Sequence, residues 1–176
     1  DSVIGTIHTL NTESVPELNT EVAEADVAEA PLSVMIFACP QCRDTTHEVC
    51  DAKSEQVSTH VQTRVVDVPC SGRVDTLQLM HAFESGADAV MVAGCQPGEC
   101  FFNTGNLHVT QRVKRIADWL DGCGLERDRV HMMHLTPGDH DSLTNALDEL
   151  TKKTGICGPS PLRRTASSPT QASTSR

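Results

Sequence analysis

Four short apolar runs, each followed at once by turn residues or cysteine, most constrain the fold of this chain. Continuous apolar runs of four to six residues are typical of strands in a parallel sheet whose two faces are both buried. The runs cover residues 34–37, 65–68, 89–93 and 130–135. They therefore predict four strands that contribute to one buried sheet.

Helical patterns separate these runs. Leu77, Met80 and Phe83 recur at intervals of three, and Gly86 is a candidate helix end. Residues 43–63 are weakly patterned and predict one poor helix at most. Two longer patterns, with their candidate N-caps, are 109–120 with Asn106 and 143–150 with Asp141. Alternating strands and helices predict an α/β fold, a small open and mostly parallel sheet of about four strands with helices on its faces.

The charge balance excludes several classes of partner. The chain has 176 residues with 24 acidic and 14 basic side chains, a formal net charge of −10. A negative surface repels duplex nucleic acid and anionic membranes, so we expect neither as a partner. No stretch approaches 18 consecutive apolar residues, so no membrane span is predicted. We expect a cytoplasmic protein with reduced cysteines.

Composition divides the chain into three parts. Residues 1–31 contain seven acidic residues and no Lys or Arg, which is typical of a flexible leader or linker. Residues 158–176 are rich in Ser, Thr and Pro and predict a disordered tail. The intervening residues 32–157 hold every strand and helix pattern and are predicted to form one domain.

Five cysteines follow the first three predicted strands. In an open parallel sheet, ligands gather at the carboxyl ends of the strands. Thiolate sulfur is a soft ligand that binds zinc or iron–sulfur clusters, and four thiolates suffice for either. The sequence therefore predicts a metal centre, with these candidate ligands: Cys39 and Cys42 after the first strand, Cys70 after the second, and Cys95 and Cys100 after the third.

Four motifs, in this order and spacing, carry a resemblance to a known family: FACPQC, PCSGRVD, AFESGADAVMVAGCQPGEC and FFNTGN. Over roughly residues 33–155 the chain resembles the delta subunit of methyl-viologen-reducing hydrogenase. That family usually has Trp before the second cysteine of the first motif, where this chain has Gln41. The resemblance implies a [2Fe–2S] cluster that relays electrons from a hydrogenase-type or other redox donor. The implied acceptor is a flavoprotein of the heterodisulfide-reductase type.

The five matched cysteines exceed the four ligand positions of such a cluster. We favour Cys39, Cys70, Cys95 and Cys100 as ligands, with Cys42 as an alternate ligand or a neighbouring thiol. The spacing of the cysteines leaves this choice open.

Three residues near these cysteines have two interpretations each. Arg73 either offsets the negative charge of a four-thiolate cluster and tunes its potential, or forms an exposed salt bridge. Phe101 and Phe102 either screen the cluster from water or pack in the core.

Two other functions remain open from the residues alone. Cys39 and Cys42 form a C-x-x-C dithiol of the kind used in thiol–disulfide exchange. Alternatively, the cysteines form a structural zinc site in a protein-binding module. The leading interpretation is a non-catalytic electron-transfer subunit of an oxidoreductase complex, since no general base or nucleophile is evident.

Overall fold

A single parallel sheet of four strands organises the chain. The structure, a computed structural model, describes residues 31–55 and 61–163, so the predicted leader lies outside the described residues except for Pro31. The strands, in the spatial order β2-β1-β3-β4, are β1 Leu32–Ala38, β2 Val61–Asp67, β3 Ala89–Cys95 and β4 Val130–Leu135. The predicted α/β fold with a parallel sheet of four strands is confirmed.

Helices cover both faces of this sheet. Those that join or follow the strands are α1 Pro40–Glu55, α2 Thr76–Glu84, α3 Gly105–Gly122 and α4 His140–Cys157. Buried side chains of α1 and α4 form one core with one sheet face, and those of α2 and α3 form a second core with the other face. None of the helices in the described ranges has the length and apolar character needed to span a bilayer.

The strand order creates a crevice at the carboxyl edge of the sheet. β1 and β3 are neighbours, and the chain leaves β1 through α1 on one face but leaves β3 through α3 on the other. Such a reversal separates the two following segments and opens the position where ligands bind in open α/β sheets. Cys39 follows β1 directly and Cys95 ends β3. The fold therefore brings these two thiols to the crevice.

Helix α1 is longer and better packed than its weak pattern predicts. Its 16 residues bury a face that consists of Cys42, Thr45, Thr46, Val49 and Cys50. Threonine is buried here because its hydroxyl finds a local acceptor, as Thr46 Oγ1 donates to the Cys42 carbonyl oxygen at 2.7 Å. An apolar-periodicity search misses such a face, because only one of its five residues is a large aliphatic.

Helix α2 exists as predicted, but its pattern was assigned to the wrong face. Leu77 is 78% exposed, whereas Leu79, Ala82 and Phe83 are buried. The helix starts at a capping box in which Asp75 accepts from the Gln78 N–H and the Gln78 side chain accepts from the Asp75 N–H. This cap fixes which side chains face the sheet.

The predicted cap of α4 was also wrong by two residues. Asp139, not Asp141, is the N-cap, and its Oδ1 accepts from the Ser142 N–H at 3.1 Å. Both carboxylates stand at the start of the helix, and only the chain geometry decides which one reaches a free N–H.

A buried polar cluster closes the opposite, amino edge of the sheet. The carboxylate of Asp88 is fully buried and accepts from the main-chain N–H groups of Ser33 and Ser160, each at 2.7 Å. The Arg129 guanidinium, also buried, donates to the Asp88 and Gly158 carbonyl oxygens. Residues 158–163, part of the predicted disordered tail, thus lie against the amino edge.

Candidate metal centre

Five buried thiols meet at the carboxyl edge, as the sequence predicts. Cys39, Cys42, Cys70, Cys95 and Cys100 are all buried and unbridged. Cys39 and Cys42 lie at the start of α1, and Cys70 precedes the turn Ser71–Arg73. Cys100 lies in the loop between β3 and α3. The ends of three neighbouring strands therefore contribute to one cluster of sulfur atoms.

Three of these thiols form a tight group. The Sγ atom of Cys39 lies 3.5 Å from that of Cys42 and 3.5 Å from that of Cys95. All three sulfur atoms are within 4.8 Å of one another. A tetrahedral centre with metal–sulfur bonds of about 2.3 Å holds its sulfur ligands about 3.8 Å apart. These spacings therefore suit ligands of one metal ion.

Cys70 and Cys100 form a second pair above the first turn of α3. A Cβ atom placed on Gly105 would lie 2.8 Å from the Cys70 Sγ and 3.3 Å from the Cys100 Sγ. A Cβ on Gly72 would lie 2.5 Å from the Gly105 Cα. These two glycines let the backbone approach both sulfur atoms, and no other residue type fits without displacement.

Four of the five thiols face one cavity. The cavity has a volume of about 330 Å³, and its lining consists of Cys39, Pro40, Gln41, Pro69, Cys70, Cys95, Cys100, Phe101 and Phe102. Cys42 does not line it, because its Sγ lies deeper, 3.8 Å from the Leu135 carbonyl oxygen. The cavity lining thus contains the four cysteines favoured above.

Mutual contact divides the first group into one acidic thiol and two weakly acidic ones. A hydrogen bond from Cys42 lowers the pKa of Cys39 to about 5, despite the opposing effect of burial. The same hydrogen bond, followed by burial, raises the pKa of Cys42. Burial, followed by the contact with Cys39, raises the pKa of Cys95 to about 12. Metal binding to such a group displaces protons, because thiolate is the form that binds.

Main-chain N–H groups surround the second pair. Gly72 donates its N–H to the Cys70 Sγ at 3.3 Å, although burial still raises the pKa of Cys70. Burial also acts to raise the pKa of Cys100, but N–H groups of Asn106, Phe102 and Gly105 outweigh it and lower that pKa. N–H donors at a helix N-terminus stabilise negative sulfur, as they do other anions.

Asn106 holds the loop that carries Cys95 and Cys100. The prediction that it caps α3 is wrong, since Thr104 is the N-cap and Asn106 lies fully buried in the first turn. Its Nδ2 donates to the carbonyl oxygens of Cys95 and Gln96 at 2.9 and 2.8 Å. Asparagine at the end of FFNTGN was the available signal, but its partners are not readable from sequence.

Two further side chains support the site that sequence reasoning missed. Arg112 of α3 donates to the carbonyl oxygens of Gly72 and Val74 at 2.6 and 2.9 Å, and so fixes the turn after Cys70. His134 Nδ1 lies 3.0 Å from the Cys95 carbonyl oxygen. Both contacts join residues far apart in sequence, so no local motif announces them.

Arg73 lies beside the cysteines, on the side of Cys70. It is exposed and lines a second cavity of about 450 Å³ together with Pro69, Cys70, Gly72, Phe102 and Gly105. Within the described residues it makes no hydrogen bond or ion pair, so the predicted salt bridge is absent there.

The two phenylalanines stand at the mouth of the first cavity. Phe101 is 82% exposed and Phe102 is 58% exposed, with their rings edge to face at 5.2 Å. The interpretation that either packs in the core is therefore wrong. An exposed aromatic pair is unusual on a chain with 3% aromatic residues and marks a contact surface.

Comparison with known proteins agrees with this site. Residues 34–156 match the family model described as methyl-viologen-reducing hydrogenase, delta subunit (FlpD). The iron-sulfur subunit of the F420-non-reducing hydrogenase vhu from Methanococcus voltae is 36% identical over 131 residues, which are 74% of this chain and 96% of that relative. The protein of the same name from Methanocaldococcus jannaschii is 34% identical over 130 residues, with the same coverage.

A longer relative contains a similar segment. It belongs to the ferredoxin/F420H2-dependent CoB-CoM heterodisulfide reductase of Methanosarcina acetivorans and is 26% identical over 137 residues, which are 78% of this chain but 17% of that relative. The family match covers the whole sheet and all five clustered cysteines. The chain belongs to the methyl-viologen-reducing hydrogenase delta subunit family.

Proposed function

We propose that residues 32–157 form an electron-transfer domain that holds a [2Fe–2S] cluster. It relays electrons from a hydrogenase-type or other redox donor to a flavoprotein of the heterodisulfide-reductase type, in the cytoplasm. The observation that carries the proposal is the cavity of about 330 Å³ lined by four thiols from three strand ends. The iron-sulfur subunits among the relatives support it.

The proposed ligands are Cys39, Cys70, Cys95 and Cys100, which line the cavity. Cys42 lies behind them, next to Cys39, and is the alternate ligand. The sulfur donors suit iron, a borderline-soft metal, and glycines leave room for a bulky inorganic group near Cys70 and Cys100. The residues present therefore fit the group that the family implies.

The thiols fall into two pairs, which favours two metal ions over one. Cys39 and Cys95 are in contact, and Cys70 and Cys100 share the space above Gly105. A single zinc ion requires four sulfur atoms at one tetrahedral centre. Two pairs across a cavity match a cluster with two irons, each held by two thiolates.

A bound cluster of this type supplies one-electron chemistry. The chain binds it, limits its contact with water and stabilises its charge. N–H groups of Gly72, Phe102, Gly105 and Asn106 point at the sulfur atoms of Cys70 and Cys100. Hydrogen bonds to cluster sulfur and a nearby cation both raise a reduction potential, and Arg73 provides the cation.

Iron and acid-labile sulfide analysis tests the proposal. Full-length protein, purified anaerobically, is expected to contain two irons and two sulfides per chain and to show a visible charge-transfer band that dithionite bleaches. Colourless protein with one zinc, or metal-free protein, would contradict it.

A second candidate, thiol–disulfide exchange, is favoured by one observation. Hydrogen bonding gives Cys39 a pKa of about 5 beside a second thiol at 3.5 Å. A nucleophilic thiolate with an adjacent resolving thiol is the arrangement that such exchange requires. Reversible oxidation of Cys39 and Cys42 in metal-free protein, with reduction of a disulfide substrate, would support this candidate instead.

A further inference from the structure

Two different openings lead from the surface to the clustered thiols. One is the cavity of about 450 Å³ beside Cys70, which Arg73 and Phe102 line. The other is a cavity of about 180 Å³ beside Cys95, which is lined by Gln41, Cys95, Gln96, Glu99, Leu135, Thr136 and Pro137. We call them the Arg73 opening and the Glu99 opening.

The Arg73 opening combines an unpaired cation with an apolar surface. The Arg73 side chain has no hydrogen-bond or ionic partner within residues 31–55 and 61–163. Phe102 borders it, and Phe101 contacts Phe102 edge to face. Exposed aromatics next to an arginine are the residue types enriched at protein interfaces.

Access to sulfur is also better at the Arg73 opening. Cys70 is the one cysteine that lines both this opening and the cavity of about 330 Å³. The neighbouring Gly72 and Gly105 have no side chains to cover it. A partner surface can therefore approach the Cys70 sulfur closely, and a short distance between redox groups speeds electron transfer.

The Glu99 opening has the opposite character. Glu99 carries a negative charge of the same sign as the chain as a whole, whose formal net charge is −10. Its other exposed lining side chains include the polar Gln41 and Gln96. An acidic partner is repelled there and attracted at Arg73, because steering depends on the local charge near the contact.

We propose that the redox partner docks over Arg73, Phe101 and Phe102, that it presents carboxylates to Arg73 beside an apolar surface, and that the electron crosses next to Cys70. The inference rests on the proposed function, since it needs a redox group held by these thiols. It adds which side of the site is used and what chemistry the partner surface has.

Charged small oxidants test which opening serves the electron. Full-length protein is reduced anaerobically with dithionite and mixed in a stopped-flow instrument with ferricyanide, an anion, or hexaamminecobalt(III), a cation. Each protein molecule gives one electron, which reduces ferricyanide to ferrocyanide or cobalt(III) to cobalt(II).

Charge reversal at Arg73 is expected to change the two rates in opposite directions. Arg73→Glu should slow ferricyanide about tenfold and accelerate the cobalt complex at low ionic strength, with both effects fading at high salt. A changed reduction potential would move both rates in the same direction, so opposite changes identify local steering. The matched variant Glu99→Lys, with a charge change of equal size at the other opening, should change either rate less than twofold.

The outcomes separate the inference from the proposed function. Larger effects from Glu99→Lys, equal effects from both variants, or no effect of Arg73→Glu would overturn the inference. Both side chains are exposed, and the visible spectrum and iron content of each variant establish that it is folded and loaded. Wild-type protein without iron and sulfide would instead overturn the proposed function.

Discussion

The two edges of the sheet satisfy their buried polar and sulfur atoms in different ways. At the amino edge, the Asp88 carboxylate accepts from the N–H groups of Ser33 and Ser160. At the carboxyl edge, five thiols surround a cavity, and Ser71 Oγ and Asn106 Oδ1 are buried without a hydrogen-bond partner among the described residues. Unsatisfied polar atoms in a core call for a functional explanation. The comparison assigns stability to one edge and chemistry to the other.

Replacement of a ligand should break the carboxyl edge most completely. Cys70→Ser and Cys95→Ser are expected to lose most of the bound iron, because a serine oxygen is a harder and less available ligand than thiolate. The measurement is iron per chain after anaerobic purification. Cys50→Ser is the matched control, since Cys50 is a buried thiol away from the cavity. Iron retained in Cys70→Ser, or lost equally in Cys50→Ser, would contradict the assignment.

Removal of the Asp88 carboxylate should break the amino edge alone. Asp88→Ala leaves the buried N–H groups of Ser33 and Ser160 without their acceptor, which is expected to cost about 2–5 kcal/mol of unfolding free energy. Chemical denaturation of the metal-free protein measures it, and the exposed Asp121→Ala is the control. Iron per folded chain should stay unchanged. A loss of iron in protein that remains folded would show that the two edges are not independent.

A methyl group at Gly105 should disturb the second thiol pair. Gly105→Ala puts a Cβ atom 2.8 Å from the Cys70 Sγ, and such overpacking costs about 1–3 kcal/mol. We expect lower stability of the metal-free protein and faster loss of iron to a chelator. Gly122→Ala, at the other end of α3 with nothing within 4 Å, should be neutral or stabilising by up to about 1 kcal/mol. Equal behaviour of the two variants would refute the close approach.

Loss of the exposed aromatic pair should have the smallest effect on the fold. The double variant Phe101→Ser, Phe102→Ser removes exposed rings and should change the unfolding free energy by no more than about 0.5 kcal/mol. Electron transfer to a flavoprotein acceptor should nevertheless slow, because the contact surface is lost. Stopped-flow reduction of the acceptor measures this. A large loss of stability would mean that the rings pack in the fold after all.

Much of the architecture was predictable from local patterns. Apolar runs that end in cysteine, proline or glycine identified all four strands, and the fold class places the ends of parallel strands at one edge. The cysteines at those ends were therefore predicted to meet. The order β2-β1-β3-β4 was not predictable, because each strand is buried and nothing in its sequence specifies a neighbour.

The remaining errors have physical causes that lie outside local patterns. Helix α1 buries threonines whose hydroxyls bond within the helix, so its apolar pattern is weak. Asn106 resembles a cap, but its amide binds the Cys95 and Gln96 carbonyls of another strand end. The exposure of Phe101 and Phe102 depends on how the loop after β3 folds over the cavity, which no periodicity encodes.

Electron paramagnetic resonance of the reduced full-length protein tests the central claim most directly. The account predicts that dithionite produces one unpaired spin per two irons, with an average g value below 2, as a [2Fe–2S] cluster held by thiolates gives. The signal should disappear in Cys70→Ser and Cys95→Ser and persist in Cys50→Ser. A spectrum without any spin from protein that contains zinc, or a signal that survives loss of the cavity-lining cysteines, would contradict it.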